Sequence, residues 1–360
     1  MEGEGGMEEL KMINIGAPGF YEDLKAQKAD VINLQWKPPM GGDVEIAKIV
    51  DRFIDDPRVH EGNQQAVRTI MAGSPALVGM DKAVNAIPGM DENTILHSGP
   101  EIDWDHMCDP MRGAVIGALI YEGRAENEEE AKKLAGSGKI HFASCHSMGA
   151  VGPMAGVISP SMPVHIILNK TFGNYAYCTV NEGLGKVLRF GAFSQEVISR
   201  LHWIQERFMP VMQAAITKMK DGLDLKTIIA QAVQMGDECH NRNKAATGLF
   251  FKEIVPLMLT TGLDKGQILE AIEFIKGNDH YFLNLSMPAC KSILDAADNI
   301  PYSSVVTAMS RNGVDFAIKI SGLGREQWFS APACYIKGLL FPGYTQEDAN
   351  PDMGDSAITD

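Results

Sequence analysis

One stretch, His141 to Gly191, limits the folds open to this chain more than any other. It reads HFASCHSMGAVGPMAGVISPSMPVHIILNKTFGNYAYCTVNEGLGKVLRFG. HFASC and VHIIL are short apolar runs of strand length, and YAYCTV follows a turn at Gly173 and Asn174, so three strands in or beside a core are expected. Between the first two, SMGAVGPMAGVISPSMP breaks any regular element every two or three residues with glycine, proline or serine, and reads as a loop. A glycine-rich loop leaving a strand lets backbone N–H groups approach a ligand closely, which is how chains hold phosphate and carboxylate oxygens. The loop is neither a P-loop nor a GxGxxG dinucleotide turn, so it points to an anion and to nothing narrower.

The flanking chain places this stretch in an α/β context. KMINIGAPGFYEDLKAQKADVINLQWKPP, from Lys11, reads as strand, glycine turn, amphipathic helix and strand, one βαβ unit with a Rossmann-like start. Its Gly16 and Gly19 give only GxxG, so structure is favoured over a cofactor site. Glu45 to Asp91 reads as helices interrupted at Pro57, Gly73, Pro75 and Pro88. ILHSGPEIDW opens a second unit, DPMRGAVIGALIYEG reads as a buried helix, and NEEEAKKLAG as a solvated one with Asn127 as N-cap and Gly136 as stop. Past the central stretch, Ser194 is placed to cap a long helix with apolar Val197, Leu201, Ile204, Phe208, Val211 and Ala215, kinked by Pro210. Helical patterns continue to about Asp298, roughly a hundred residues without a strand signal. VDFAIKIS then alternates apolar Val314, Phe316, Ile318 and Ile320 with Asp315, Lys319 and Ser321, and pairs with QWFSAP as a hairpin whose second face is wet. The fold class is therefore a multidomain α/β chain: a small βαβ-type N-terminal domain over 1–95, a second α/β domain with a mixed sheet from 96–195 and 302–360, and an inserted all-helical domain over 196–301.

Composition excludes several classes of function. A chain of 360 residues needs two or three cores, burying roughly three quarters of its unfolded surface. A formal net charge of -14 argues against a sequence-independent grip on nucleic acid, which needs clustered Lys and Arg. The longest apolar run, AVIGALIY, is too short to span a membrane, and the acidic start MEGEGGMEEL lacks the features of a signal peptide, so a cytoplasmic location without membrane partners is expected. The six cysteines, at 108, 145, 178, 239, 290 and 334, include no CxxC and suggest neither a disulfide framework nor structural zinc.

Chemistry-bearing residues gather at four turns. His146 stands at the mouth of the glycine loop, where an imidazole could protonate a leaving nitrogen, bind an anion, or simply hold the loop by a hydrogen bond. Gly149 and Gly152 offer backbone N–H groups to the same anion. Cys145 is a poor nucleophile candidate, because adjacent residues on a strand point to opposite faces. NEGLGKVLRFG presents Asn181, Lys186 and Arg189 around glycines, with a Glu182–Arg189 salt bridge as the structural alternative. In MGDECHNRNKA, helical spacing would put Asp237, His240, Asn241 and Lys244 on one face and pair Glu238 with Arg242; Asn243 follows. Asp237 and His240 could bind a metal only with a third ligand that no motif supplies, so no metal and no cofactor is assigned. Arg311 and Asn312 end a strand-like run. Donors without an acid pair favour binding and polarising an anionic carbonyl or phosphoryl compound.

The segments AVGPMAGVISPSMP, NEGLGKVLRFG, MGDECHNRN, VTAMSRNG, SGLGREQWF and NPDMGDSAIT, in this order, resemble the YlbE-like family from about Leu96 onward. The resemblance implies an oxamate carbamoyltransferase subunit of anaerobic allantoin catabolism, working beside an FdrA-like, acyl-CoA-synthetase-related subunit and a carbamate kinase. The implied reaction is oxalurate plus phosphate giving oxamate and carbamoyl phosphate. No family residue roles are carried over. On residue chemistry alone, His146 is assigned as acid, Arg189, Arg242 and Arg311 as anion or oxyanion donors, and Asn181, Asn243 and Asn312 as orienters. The partners expected are a small anionic substrate, the FdrA-like subunit and further copies of the chain in a homo-oligomer. Relatives continue past SAIT into a glycine- and alanine-rich region, whereas this chain stops at Asp360; if that region completes the sheet or the site, a truncated, inactive or partner-dependent form is expected. Two other classes stay open: a non-catalytic scaffold for the partner, and a metal-assisted amidohydrolase using His146, Asp237 and His240.

Overall fold

The computed structural model describes residues 11–34, 36–152, 156–180, 182–183, 186–188, 191–239, 242–332 and 353–356. The chain is mixed α/β and divides into two compact units, Met1–His60 and Glu61–Asp360.

The first unit holds β1 (Lys11–Ile15), α1 (Pro18–Ala26), β2 (Asp30–Leu34) and α2 (Val44–Ile54). The two strands pair in parallel, Ile13 opposite Ile32 and Ile15 opposite Leu34, so the βαβ reading holds. Pro18 starts α1 where a missing N–H costs nothing, and the Asp43 carboxylate starts α2 by accepting from the Glu45 and Ile46 amides.

Past α3 (Pro57–Ala72), the first strand of the second unit is β3 (Pro75–Lys82), where helix had been expected. PALVGM is a short apolar run buried from both sides, and periodicity cannot distinguish such a run from a buried helix. Next come α4 (Ala83–Ala86), β4 (Thr94–His97), α5 (Asp109–Tyr121), α6 (Glu128–Ala135), β5 (His141–Ser144), β6 (Ala150–Val151), β7 (Val157–Ile158), β8 (Pro163–Asn169) and β9 (Tyr175–Thr179). The three strands of the central stretch are thus β5, β8 and β9. β8 and β9 form an antiparallel hairpin at the Gly173–Asn174 turn. Asn127 caps α6 by accepting from Glu130 N–H at 3.0 Å. α5 is buried almost all round, and Gly113 lets the backbone of Gly191 lie directly on it, where a Cβ would collide.

The helical stretch contains α7 (Gln195–Trp203), a π turn at Ile204–Phe208 and α8 (Met209–Ile216). The π turn lies just before Pro210, where the ladder loses a donor. Then follow β10 (Leu223–Asp224), α9 (Leu225–Gln234), α10 (Lys244–Met258), α11 (Lys265–Lys276) and α12 (Leu283–Asp295). The expected helical face across MGDECHNRNKA is not formed by its described residues: Gly236 takes φ +100°, and Asp237 accepts the Ala246 amide at 2.8 Å, closing one helix and starting the next. The chain ends with β11 (Val306–Asn312), β12 (Asp315–Ile320), β13 (Phe329–Pro332) and β14 (Met353–Ser356).

These strands make a five-stranded sheet in the order β10-β3-β8-β9-β6, a three-stranded sheet β5-β4-β7 and an antiparallel four-stranded sheet β13-β12-β11-β14. α12 packs on β8 and β9, and α8 on β3, around Phe208, Phe250, Tyr281 and Phe282. The β12–β13 hairpin is as expected, but its faces are reversed. Ala317, Lys319 and Ser321 are buried while Phe316, Ile318 and Ile320 are only half-buried, because the polar face lies against the end of α12, with Ser321 Oγ donating to the Ala297 carbonyl. No helix among the described residues is long and apolar enough to cross a membrane.

Candidate functional site

β4 and β5 run parallel, with His97 opposite Ser144. Partners in a parallel pair present their side chains to the same face, about 4.8 Å apart, so this imidazole and this hydroxyl are neighbours. Both strands end here, and the crevice beyond the carboxyl ends of parallel strands is where open α/β sheets bind ligands. His97 is fully buried, and its Nδ1 lies 2.8 Å from the Ser98 carbonyl oxygen. A carbonyl only accepts, so Nδ1 carries the proton and Nε2 presents a lone pair. Nε2 makes no hydrogen bond and stands 3.9 Å from Glu101 Oε2. Burial holds the imidazole below its ordinary pKa, against the opposing pull of the Ser98 carbonyl and Glu101.

Glu101 ties the two strand ends together, accepting from Ser144 N–H at 3.0 Å and Ser147 Oγ at 3.1 Å. Among the described residues, the buried hydroxyls of Ser98 and Ser144 have no hydrogen-bond partner. Each such group costs about 1–3 kcal/mol, and several collected at strand ends call for a ligand.

His146 lies in the 3-10 turn Cys145–Met148 that leaves β5, closed by Gly149 at φ +70°. It is fully buried and meets the Trp328 ring edge to face, centroids 5.6 Å apart. Burial, then the charges of Lys291 and Lys319, hold its pKa well below the ordinary value, so the ring is neutral. As a resident imidazolium acid it is therefore disfavoured, whereas a neutral ring can pass a proton along.

Behind His146 lies a layer of charge. Lys291 Nζ on α12 is 2.6 Å from Asp295 Oδ1, both buried. Arg325 donates to Asp298 at 3.2 Å and approaches Asp295 at 3.7 Å. Lys319 Nζ sits 4.4 Å from the Trp328 ring centroid and donates to the Arg325 carbonyl at 2.5 Å. Among the described residues no carboxylate lies within ion-pair distance of it. A buried ammonium costs several kcal/mol, of which a cation–π contact returns about 2. Burial and Lys291 lower its pKa to about 8, opposed by Asp295, Asp298 and Glu326. The buried indole Nε1 of Trp328 also has no partner.

The third wall is the end of β11. Gly99 N–H donates to Ser310 Oγ at 2.9 Å, Asn312 Nδ2 donates to the Pro100 carbonyl at 3.0 Å, and Asn312 Oδ1 accepts from the Val314 and Asp315 amides. The loop 98–101 thus lies between the His146 turn and the Arg311–Asn312 strand end. Gly152 is buried just past β6. Lys186 is exposed and its carbonyl accepts from Arg200, which also pairs with Glu182 at 3.4 Å. Asp237, Arg242 and Asn243 sit together at the α9–α10 junction; Arg242 is exposed and pairs with Glu238 at 2.5 Å, and Asn243 is buried where α10 starts. Asn181, Arg189 and His240 lie outside the described residues.

Sequence reasoning missed His97, Ser98, Glu101, Lys319 and Trp328. The first three had a signal, since HSGPE leaves β4 as CHSMG leaves β5, each with His-Ser at the strand exit.

Comparison with known proteins shows what the chain as a whole is similar to. Residues 140–356 match the family model described as oxamate carbamoyltransferase subunit AllG. The chain is 45% identical over 354 residues, 98% of its length and 75% of the relative's, to the uncharacterized protein YahG of Escherichia coli (strain K12). It is 44% identical over 303 residues to the oxamate carbamoyltransferase subunit AllG of the same organism, covering 84% of this chain and 72% of that one. A crystal structure of a conserved protein of unknown function from Enterococcus faecalis V583 superposes with a TM-score of 0.81 at 48% identity, covering 84% of this chain and 72% of that one.

Proposed function

The chain belongs to the AllG family of oxamate carbamoyltransferase subunits, and from that premise we propose that it carries a site where a carbamoyl group passes from oxalurate to phosphate. The observation that carries the reading is the neutral, buried His146 set between a cation layer and the donor-rich ends of β4 and β5. Phosphate and oxalurate are both anions, so their meeting needs cations and hydrogen-bond donors that are already in place. A phosphate oxygen attacks the ureido carbonyl carbon, the bond from that carbon to the oxamate nitrogen breaks, and the proton of hydrogen phosphate ends on that nitrogen. Carbamoyl phosphate and oxamate leave with the total charge unchanged.

A neutral imidazole suits that traffic, because it takes the phosphate proton and returns it to the leaving nitrogen. His146 is assigned this shuttle, in place of a resident acid. The Ser98 and Ser144 hydroxyls donate to the developing oxyanion, and Arg311 is an anion donor at the strand end. Asn312, whose side chain is committed to Pro100 and the hairpin, holds the loop. Arg189 and Asn181 keep their assignment as a donor and an orienter. An FdrA-like subunit as partner and assembly into a homo-oligomer belong to the same reading.

The test is carbamoyl phosphate formation from oxalurate and phosphate, by this chain alone and with an FdrA-like subunit added. Turnover is expected in at least one mixture, and His146→Ala should lower it by at least about tenfold. Near-normal turnover of that variant would remove His146 from the scheme.

A second reading, a non-catalytic scaffold subunit, is favoured by one feature of the first unit. Ile13, Ile15, Ile32 and Leu34 line one exposed face of the β1–β2 sheet, and parallel sheets are normally covered on both faces. If the partner binds and neither mixture turns over, this reading replaces the first.

A further inference from the structure

Lys319 and Trp328 present donors that none of the described residues accepts. Lys319 is 3% exposed, and of its three N–H bonds one reaches the Arg325 carbonyl while the indole face covers another side. The Trp328 Nε1–H is buried without an acceptor among the described residues. Ammonium and indole N–H groups can only donate, so whatever completes them must be an acceptor. The surrounding charge decides which kind. Lys291 and Arg325 engage Asp295 and Asp298, so that among the described residues three buried or half-buried cations, Lys319 included, face two carboxylates. Glu326 is exposed, and His146 is neutral. One positive charge is left over, and it sits on Lys319.

We infer that the Lys319 ammonium and the Trp328 indole N–H form the seat for one oxyanion of the substrates, a carboxylate or a phosphate, which supplies the counter-ion that none of the described residues provides. The inference rests on the transferase reading only for the names of the two anions. A residue kept for packing would need no charge here, and an uncharged chain of the same length would be tolerated better.

The experiment uses the full chain with oxamate and inorganic phosphate as separate probes, followed by thermal shift and calorimetric titration. At least one probe should bind at pH 7 and raise Tm. Binding of oxamate alone assigns a carboxylate seat, and of phosphate alone a phosphate seat. Lys319→Met should unfold at the same or a higher temperature without ligand, and bind the active probe at least about tenfold more weakly.

A second arm needs no variant. The groups facing Lys319 are Lys291 and Asp295 on α12, Asp298 after it, Arg325 and Glu326 before β13, and His146. Probe affinity of the native chain should fall by about tenfold per pH unit above about 8, as the ammonium loses its proton. For oxamate the ligand's own charge stays fixed over that range. The inference is overturned if neither probe binds, if Lys319→Met binds as tightly as the native chain, or if affinity is flat from pH 7 to about 10. The two claims fail separately. Binding as described without carbamoyl phosphate formation sinks the transferase reading and leaves the seat standing. Carbamoyl phosphate made equally well by Lys319→Met sinks the seat and leaves the reading standing.

Discussion

Gly99 meets Asn312 backbone to backbone: Gly99 holds φ +84°, and a Cβ there would overlap the Asn312 amide nitrogen. This contact seats the loop carrying Ser98 and Glu101 against the end of β11. Gly99→Ala combines a left-handed backbone with a collision against main chain that no rotamer relieves. It should cost about 3 kcal/mol, read as a lower urea midpoint at unchanged slope. A midpoint matching the native chain would show that the loop is not held here.

Asn312 works from the other side. Its amide donates to Pro100 while its oxygen gathers the Val314 and Asp315 amides at the hairpin turn. Asn312→Ala should destabilise by about 2–3 kcal/mol by leaving those buried groups unpaired. Asn312→Asp keeps the acceptor and loses the donor, so its loss should fall between. Hydrogen exchange at the Val314 and Asp315 amides should speed up in the alanine variant alone; equal rates in both variants would contradict the assignment.

The central strands, their hairpin turn, the α6 caps and the β12–β13 hairpin were legible because each rests on a local signal of period, cap or turn. β3 was not, since a short run apolar on both faces has no period to read. The site divides the same way. His146 stood out as a candidate because it interrupts an apolar run at a glycine loop. Lys319 was placed on a wet face because alternation assigns polar residues outward, and only tertiary packing against the end of α12 turns that face inward. Arg242 carried two readings in the sequence, a donor for the anion and a partner of Glu238 four residues before it, and the structure forms the pair on an exposed surface.

The buried pair Lys291–Asp295 gives a prediction with internal control. Both side chains are nearly inaccessible, 2% and 6% exposed, at 2.6 Å. Lys291→Met alone leaves the buried Asp295 carboxylate with only the longer 3.7 Å approach of Arg325 and should cost about 3 kcal/mol. The double variant Lys291→Met with Asp295→Leu removes both charges and should recover most of that loss. A double variant as unstable as the sum of the singles would mean that the charges do not act as a pair.

Buried histidines set the acid limit of stability. His165 is fully buried with Nε2 2.9 Å from the Tyr281 hydroxyl, and burial lowers its pKa to about 4; burial moves His97 and His146 the same way. The unfolded chain binds these protons near pH 6.5 and the folded chain does not, so the contribution is complete above about 6.5 and is lost as pH falls toward 4. Each histidine protonated only in the unfolded state costs about 1.4 kcal/mol per pH unit across that window. Asp298 works oppositely, since burial and Asp295 raise its pKa and the folded chain takes up its proton first. Three histidines against one aspartate leave a net loss, so Tm should decline steadily from pH 7 to about 5. His165→Gln should make that decline shallower. A flat Tm profile, or an unchanged slope in the variant, would show that these rings already carry their protons in the folded chain.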